Sequence, residues 1–265
     1  LIEYVKNLLN INEAIIEDGI INLKVNNEII VEDREEEKWI YLYSFYNAEN
    51  KIAQNILGLD RYKNVKKVSN IEKELKLVEE RTDILLSEKQ KEAIRAINDN
   101  NVTIITGGPG TGKTTIIKSI IEIYKQKKYK IVLCAPTGRA AKRMTETTGE
   151  EASTLHRLLE IGKVDEESLF KKDNEYQGAP IDGDIIIVDE VSMVDMFIMS
   201  YLLDCIYKGT KLILVGDCDQ LPSVGPGSVL KDLISSEKIT TVHLDKIFRQ
   251  AAKSKIIVNA HRVNS

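Results

Sequence analysis

A glycine-rich segment at residues 107–114, GGPGTGKT, has the spacing of a loop that holds nucleotide phosphates. A glycine, four residues, a second glycine, a lysine and a threonine form the phosphate-loop pattern. The backbone N–H groups of such a loop face the phosphates, Lys113 reaches the outer ones, and Thr114 ligates Mg²⁺. An incidental glycine-rich turn is the alternative. The apolar run before the segment and the helical pattern after it favour a site for a nucleoside triphosphate with Mg²⁺.

Two adjacent carboxylates, Asp189 and Glu190, end the apolar run at residues 185–188. In a protein with a phosphate loop, this pattern predicts that Asp189 joins the Mg²⁺ shell and that Glu190 polarises the attacking water. Two acids at the end of a buried strand are costly without a metal or another partner. The alternative is a strand that runs out into solvent.

Two further polar residues follow the later apolar runs. Gln220 comes just after the run at 211–217, where it can hydrogen-bond a γ-phosphate or the attacking water and so distinguish ATP from ADP. Arg249 lies in the charged turn after a strand that begins at residue 242, where it can act as an arginine finger. Taken alone, Arg249 reads as a surface arginine. We predict catalytic roles for Lys113, Glu190, Gln220 and Arg249.

Gln90 has two interpretations. Ser87 is a fair helix N-cap, and Gln90, three residues later, completes a capping box. Alternatively, the amide of Gln90 offers one donor and one acceptor, which match N6 and N7 of adenine. The phosphate loop that follows favours adenine recognition.

A basic segment at residues 136–143, PTGRAAKR, follows the apolar run at 130–135. Loops at the carboxyl ends of strands are where open α/β sheets bind ligands. Hydroxyl and N–H groups beside arginine and lysine are what a sugar-phosphate backbone requires. The alternative is a solvated basic helix face. Similarly, His156 is either a second contact to that backbone or a histidine beside a helix cap.

The elements that must position these residues alternate between buried strands and amphipathic helices from residue 86 onward. This alternation predicts an α/β fold with a mostly parallel sheet flanked by helices. The strands are predicted at residues 101–106, 130–135, 185–188, 211–217 and from 242. Residues 162–183 are predicted to form a flexible insertion. Asp195 is predicted to cap the next helix or to support the acidic pair.

The first 85 residues predict a small α+β module, winged-helix-like in its order of elements, with a linking helix. Residues 1–18 have a helical pattern that Gly19 ends. Two short strands flank Asn26 and Asn27, which form a tight hairpin. A third strand at 38–43, a helix at 45–57 and a linking helix within 61–84 complete the module. We therefore predict two domains, 1–85 and 86–265.

Composition excludes several classes of protein. The chain of 265 residues is 43% hydrophobic and 29% charged, as in an ordinary globular protein, and no apolar run is long enough to span a membrane. Three widely spaced cysteines favour a reducing compartment, so we expect a cytoplasmic protein. Net charge is −4, with −5 in residues 1–85 and +1 in the remainder. Nucleic acid must therefore be bound in a local groove.

Seven segments in this order resemble the RecD-type group of superfamily 1 DNA helicases. They are LSEKQKEAI (86–94), GGPGTGKTT (107–115), APTGRAAKRM (135–144), STLHRLL (153–159), VDEVSMVD (188–195), VGDCDQLPSVGPGSVL (215–230) and LDKIFRQ (244–250). The resemblance implies a RecA-like motor domain that hydrolyses ATP and moves 5′ to 3′ along single-stranded DNA in recombination and repair.

The resemblance also implies site residues. The nucleotide would contact Gln90, Gly107, Gly108, Pro109, Gly110, Thr111, Gly112, Lys113, Thr114 and Thr115. Mg²⁺ would be held by Thr114 and Asp189. Single-stranded DNA would contact Pro136, Thr137, Gly138, Arg139, Thr154 and His156. The group further implies a monomeric motor, acting alone or within a recombination and repair complex, with no membrane contact.

The chain departs from that group in one respect. Such motors require a second RecA-like domain, and the sequence stops at Ser265 without its motifs. Together with a start at Leu1, this indicates a fragment with the first motor domain and little activity of its own. Two other hypotheses remain: an AAA-like ATPase that remodels proteins, and a scaffold whose residues 1–85 dock a partner. A metabolic kinase is disfavoured, because no acceptor pocket is indicated.

Overall fold

The computed structural model describes residues 1–35, 37–161 and 178–245, and the chain divides into two compact units at residues 51 and 52. The first unit contains two helices, a two-stranded antiparallel sheet and the start of a third helix. These elements are α1 (Ile2–Leu9), α2 (Glu13–Val25), β1 (Ile29–Arg34), β2 (Glu37–Leu42) and α3 (Tyr43–Asp60), which continues into the second unit.

The first unit corrects the predicted hairpin. Residues 20–25 belong to α2, and the hairpin joins β1 to β2 instead of turning at Asn26 and Asn27. The predicted break at Gly19 is also wrong, because a glycine inside a helix costs only about 1 kcal/mol. The actual break is at Asn10, which adopts the left-handed conformation with φ of 52°. Asn12 then caps α2 by accepting from the backbone N–H of Ala14.

The second unit is built on a six-stranded, fully parallel sheet in the order β5-β4-β6-β7-β3-β8. Its strands are β3 (Val102–Gly107), β4 (Ile131–Ala135), β5 (Ala152–Thr154), β6 (Ile185–Val188), β7 (Lys211–Gly216) and β8 (Thr240–Leu244). Its helices are α4 (Ile71–Thr82), α5 (Glu88–Asp99), α6 (Lys113–Gln126), α7 (Gly138–Thr148), α8 (Leu155–Leu158), α9 (Met196–Asp204) and α10 (Val229–Ser235). The predicted α/β fold is confirmed.

The sheet is buried on both faces, which explains why its strands read as continuous apolar runs. Every residue of β6 and β7 is buried, including Lys211 at the start of β7. The ammonium group of Lys211 donates to the backbone carbonyls of Ile97, at 2.5 Å, and of Asn100, and so closes the carboxyl end of α5. Because the strands are parallel, their carboxyl ends all lie at one edge of the sheet.

Residues 52–85 associate with the second unit, whereas the sequence places them in an N-terminal domain. The predicted linking helix is α4, whose Glu72 forms an ion pair with Arg95 at 2.6 Å. Glu74, in the same helix, pairs with Lys127 at 2.6 Å. The apolar side chains of Leu75 and Val78, in the same helix, are buried in the core of the second unit. The hydrophobic face of α4 therefore has its partner in this core.

Three details complete the fold. Strand β5 is not among the predicted strands, since it is only three residues long and only partly buried. Most of the predicted insertion, residues 162–177, lies outside the described residues. Among the described helices, none is long and apolar enough to cross a membrane.

Candidate functional site

The phosphate loop joins the end of β3 to the start of α6. Gly110 and Gly112 have φ angles of 81° and 88°, a conformation that side chains with a Cβ rarely adopt. Gly107 is restricted by its surroundings instead, since a Cβ there would lie 2.6 Å from the carbonyl oxygen of Leu244. The hydroxyl of Thr111 donates to the carbonyl of Gly108 at 2.8 Å and holds the loop in shape. The loop is thus a preformed concave backbone at a helix N-terminus, which suits phosphate.

Lys113 is the first residue of α6, and its ammonium group folds over the loop. It donates to the carbonyls of Gly107 at 2.5 Å and Gly108 at 3.0 Å. Burial lowers the pKa of Lys113, while the carboxylates of Asp217, Asp189 and Glu190 act in the opposite direction. Three acids from two strand ends therefore act on one lysine at the phosphate loop. Thr114 and Thr115 follow it in the first turn of the same helix.

Asp189 and Glu190 leave the end of β6 at the middle of the sheet. The backbone N–H of Asp189 donates to the carbonyl of Cys134 at 3.0 Å, which holds it beside β4. Burial raises the pKa of Asp189, and the neighbouring charge of Glu190 raises it further. One oxygen of Asp189 accepts from the N–H of Glu190 at 2.9 Å. A partly buried carboxylate whose charged form is disfavoured by its surroundings suits a cation ligand.

The backbone at Glu190 turns sharply. Its φ of 57° is left-handed, and a short 3₁₀ turn, Val191–Met193, follows directly. Asp195 then caps α9 by accepting from the N–H groups of Phe197 and Ile198, both at 2.9 Å, as predicted. The backbone therefore changes direction at Glu190, directly after the end of the strand.

Asp217, at the end of β7, is a site residue that is not among those predicted from the sequence. It is buried, and its two oxygens accept from the N–H of Asp219 at 3.1 Å and from the side-chain amide of Gln220 at 3.2 Å. The N–H of Cys218 donates to the hydroxyl of Thr106 at 3.3 Å, which ties this loop to the end of β3. An apolar strand ending in an acid is the same signal that identified Asp189.

The segment after Gln220 lies against the start of α9. A Cβ on Gly225 would lie 2.4 Å from a carboxylate oxygen of Asp195, and the N–H of Met196 donates to the carbonyl of Pro226 at 3.0 Å. The hydroxyl of Ser223 donates to the carbonyl of Gly225 at 2.9 Å. The loops that follow β6 and β7 are therefore in direct contact.

Gln90 is buried at the start of α5, and the capping box is confirmed. Its side-chain oxygen accepts from the N–H of Ser87 at 2.9 Å, and its amide nitrogen donates to the carbonyl of Gly112 at 3.4 Å. An amide offers two donors and two acceptor sites, so these bonds leave one of each for another group. Gln90 touches the phosphate loop, and its contact with adenine stays a prediction.

The residues predicted to contact DNA follow β4 and β5, the two neighbouring strands at one side of the sheet. Ala135, which ends β4, is paired with Thr154, which ends β5. Thr137 and Thr154 cap α7 and α8 by accepting from backbone N–H groups at 3.2 Å. Because each hydroxyl acts as an acceptor in its cap, its proton remains available to a phosphate oxygen.

Several residues predicted to contact DNA are open to solvent, and the predicted catalytic roles stay predictions. Gly138, Arg139 and His156 are exposed, and Pro136 is partly buried. The predicted arginine finger, Arg249, lies outside the described residues. Roles in DNA contact therefore stay predictions, as does the role of Arg249.

Arg143 connects the basic helix to the acids. Its guanidinium nitrogen Nη1 lies 3.9 Å from Oε1 of Glu190. Burial is the main influence on the pKa values of Asp189 and Lys113, and the guanidinium is close enough for its charge to lower both. The sequence shows Arg143 as part of a basic segment but carries no signal for this contact.

Comparisons with known proteins agree with this arrangement. Residues 90–226 match the model of the AAA domain family. The RecD2 DNA helicase of Deinococcus radiodurans, described as ATP-dependent, is 42% identical over 176 residues. The RecBCD enzyme subunit RecD of Buchnera aphidicola subsp. Acyrthosiphon pisum is 37% identical over 242 residues. The chain belongs to the RecD/RecD2 family of superfamily 1 helicases.

The chain corresponds to part of these family members. The first comparison covers 66% of the chain and 23% of the relative, and the second covers 79% of the chain and 39% of the relative. The crystal structure of the Pif1 helicase from Candida albicans aligns with a TM-score of 0.47 and 27% identity, over 66% of the chain and 43% of that structure.

Proposed function

We propose that the complete protein is an ATP-dependent DNA helicase that moves 5′ to 3′ on single-stranded DNA, with residues 86–265 as its first motor domain. One observation carries the proposal. Lys113, Asp189 with Glu190, and Asp217 with Gln220 follow three neighbouring strands, β3, β6 and β7, at the same edge of the sheet. The loops after β4 and β5 continue that edge with the hydroxyl and basic groups that suit a sugar-phosphate backbone.

Each of these side chains has a separate proposed role in ATP hydrolysis. Lys113 exchanges its bonds to the loop carbonyls for bonds to the outer phosphates, and Glu190 orients the attacking water and accepts its proton. The proposed role of Gln220, which donates a hydrogen bond to Asp217, is to sense the γ-phosphate. Thr114 and Asp189 would hold Mg²⁺, which supplies positive charge against the phosphate oxygens when it is bound. The partly buried carboxylate of Asp189, whose charged form is disfavoured, supports this fit.

Helicase activity is assigned to the complete protein. The relatives extend well beyond the matched region, which represents 23% and 39% of their lengths. We expect residues 1–265 alone to bind nucleotide, hydrolyse it slowly and unwind nothing. The relative from Buchnera is named as a subunit of the RecBCD enzyme, which supports a role in a recombination and repair complex. We place this activity in the cytoplasm, which suits three free cysteines.

The deciding experiment is ATP hydrolysis by the complete protein, with and without single-stranded oligo-dT. We expect DNA to raise the rate by about tenfold or more, equivalent to roughly 1.4 kcal/mol of barrier. Glu190→Gln is the control, and it should lower the rate by on the order of a hundredfold or more in both conditions. A high rate of ATP hydrolysis that DNA does not change would contradict the helicase proposal and favour an ATPase that remodels proteins. A tailed duplex then tests the direction of movement.

A further inference from the structure

Arg143 lies between the predicted DNA contacts and the catalytic acid. It follows Arg139 by four residues in α7, so both side chains lie on one face of the helix. Arg139 is exposed and belongs to the predicted DNA contacts. The second arginine on this face, Arg143, contacts Glu190 at 3.9 Å. One basic helix face thus extends from the strand-binding loop to the residue that would activate water.

The contact between Arg143 and Glu190 has the properties of an exchangeable one. The side chain of Arg143 is 71% exposed and that of Glu190 is 28% exposed, so solvent and phosphate can both reach the guanidinium. Exposed ion pairs of this kind change the equilibrium constant between the paired and the separated state by only about two- to fivefold. A phosphate offers a guanidinium two parallel hydrogen bonds and is therefore the stronger competitor.

The charge of Arg143 also reaches the centre of the site. Burial is the main cause of the raised pKa of Asp189 and of the lowered pKa of Lys113, and the positive charge of Arg143 lowers both pKa values. Removing or redirecting this guanidinium therefore changes the electrostatics of the acid pair as well as freeing the side chain of Glu190.

We propose that Arg143 is a positioning residue that restrains Glu190 until single-stranded DNA arrives, when a backbone phosphate replaces Glu190 as its partner. Released from this pair, Glu190 turns to the attacking water, and ATP hydrolysis accelerates. This inference rests on the proposed function and specifies how strand binding is transmitted to the reaction. Because the guanidinium has one partner or the other, the acid and the strand compete for it.

Competition makes a prediction that does not involve catalysis. If Glu190 and DNA compete for Arg143, neutralising Glu190 must strengthen DNA binding, since coupling between two sites is reciprocal. The measurement is the affinity of the complete protein for a fluorescent oligo-dT, without nucleotide, by anisotropy. We expect Glu190→Gln to tighten binding about threefold, within the range of exposed ion pairs. In the Arg143→Ala background, this gain should disappear.

A matched control separates this competition from general charge effects. Glu146 lies on the same helix and pairs with Lys142 at 3.9 Å, the same separation as in the pair of Arg143 and Glu190. Glu146→Gln removes the same charge and should tighten DNA binding less than Glu190→Gln does. Its small effect should persist in the Arg143→Ala background. Equal gains from both neutralised acids, unaffected by Arg143→Ala, would overturn the proposal.

ATP hydrolysis provides the second test. Arg143→Ala should raise the DNA-free rate about two- to fivefold and reduce the stimulation by DNA by a similar factor. Arg143→Lys, which keeps the charge, should stay near the wild-type rate. An unchanged or lower DNA-free rate in Arg143→Ala, in a protein whose wild-type form is stimulated by DNA, overturns this inference and leaves the proposed function intact. Absence of stimulation in the wild type instead overturns the proposed function.

Discussion

The side-chain amide of Gln220 donates a hydrogen bond to a carboxylate oxygen of Asp217 at 3.2 Å. The other oxygen of Asp217 accepts from the backbone N–H of Asp219 at 3.1 Å. The buried acid thereby fixes both the loop and the glutamine that the loop carries. A side chain that must meet a γ-phosphate at one position benefits from such support.

Asp217→Ala should lower kcat for ATP hydrolysis about tenfold, roughly 1.4 kcal/mol of barrier, because Gln220 loses its partner. Nucleotide affinity, measured by titration with a fluorescent ATP analogue, should change less than kcat. The control is Asp219→Ala, which removes an exposed carboxylate but keeps the backbone N–H that binds Asp217. A loss of kcat of the same size in Asp219→Ala would argue against the special role of Asp217.

Glu190→Gln should reduce kcat by on the order of a hundredfold or more, since the amide cannot accept the proton of the attacking water. The affinity for ATP should remain near that of the wild-type protein. Single-turnover hydrolysis and equilibrium binding measured side by side distinguish these effects. If binding falls as far as the rate, Glu190 is a structural residue of the loop.

Lys113→Met should weaken nucleotide binding by about tenfold or more, because the proposed site loses the ammonium group expected to contact the phosphates. The methionine keeps most of the apolar volume, so the fold should persist. Lys118→Met, on an exposed position of the same helix, is the matched control and should bind nucleotide normally. Equal binding by Lys113→Met and the wild-type protein would contradict the assigned phosphate site.

Gly107→Ala should destabilise the second unit by about 1–3 kcal/mol, since the added Cβ would lie 2.6 Å from the carbonyl oxygen of Leu244. Urea unfolding measures the effect. Gly58→Ala provides the comparison, because a Cβ at Gly58 meets no atom within 4 Å and alanine favours a helix. We expect Gly58→Ala to be neutral or stabilising. Similar losses at both glycines would show that local packing at Gly107 is not the cause.

Lys211 should make stability depend on pH. Burial lowers its pKa from 10.5 to about 7 in the folded chain. Between those values the unfolded chain binds more protons than the folded one, so the free energy of unfolding rises with pH. From pH 7 to pH 9 the gain is about 2 kcal/mol. Lys211→Met should lose this gain, and urea unfolding at both values measures the difference. The same pH dependence in both proteins would exclude Lys211 as its source.

The elements that are predictable from the sequence are those for which the local sequence pattern and the tertiary environment favour the same structure. The buried strands β3, β4, β6 and β7 are recognisable as apolar runs because both faces of the sheet are covered. The phosphate loop and the acids after β6 follow from spacing alone. The hairpin at Asn26 and Asn27 was wrong because a short apolar run such as residues 20–25 fits a strand and a helix equally well.

Contacts between distant loops could not be predicted in the same way. The pair of Arg143 and Glu190 joins α7 to the end of β6, and no local pattern records how those elements approach each other. Asp217 could have been found, since it ends an apolar strand as Asp189 does. The capping box at Gln90 is predictable from the sequence. The hydrogen bond from Gln90 to the carbonyl of Gly112 is not, because it depends on where α5 lies beside the phosphate loop.

In the proposed motor, the order of the strands would limit how energy passes between ATP and DNA. Only β6 separates β4, which leads to the basic helix, from β7, which leads to Gln220. Neighbouring strands are about 4.8 Å apart, so β4 and β7 lie about 10 Å from each other. Backbone hydrogen bonds fix that separation, and the sheet cannot lengthen or shorten during a catalytic cycle. Within this unit the moving parts of the proposed motor would therefore be side chains and loops at the carboxyl edge of the sheet.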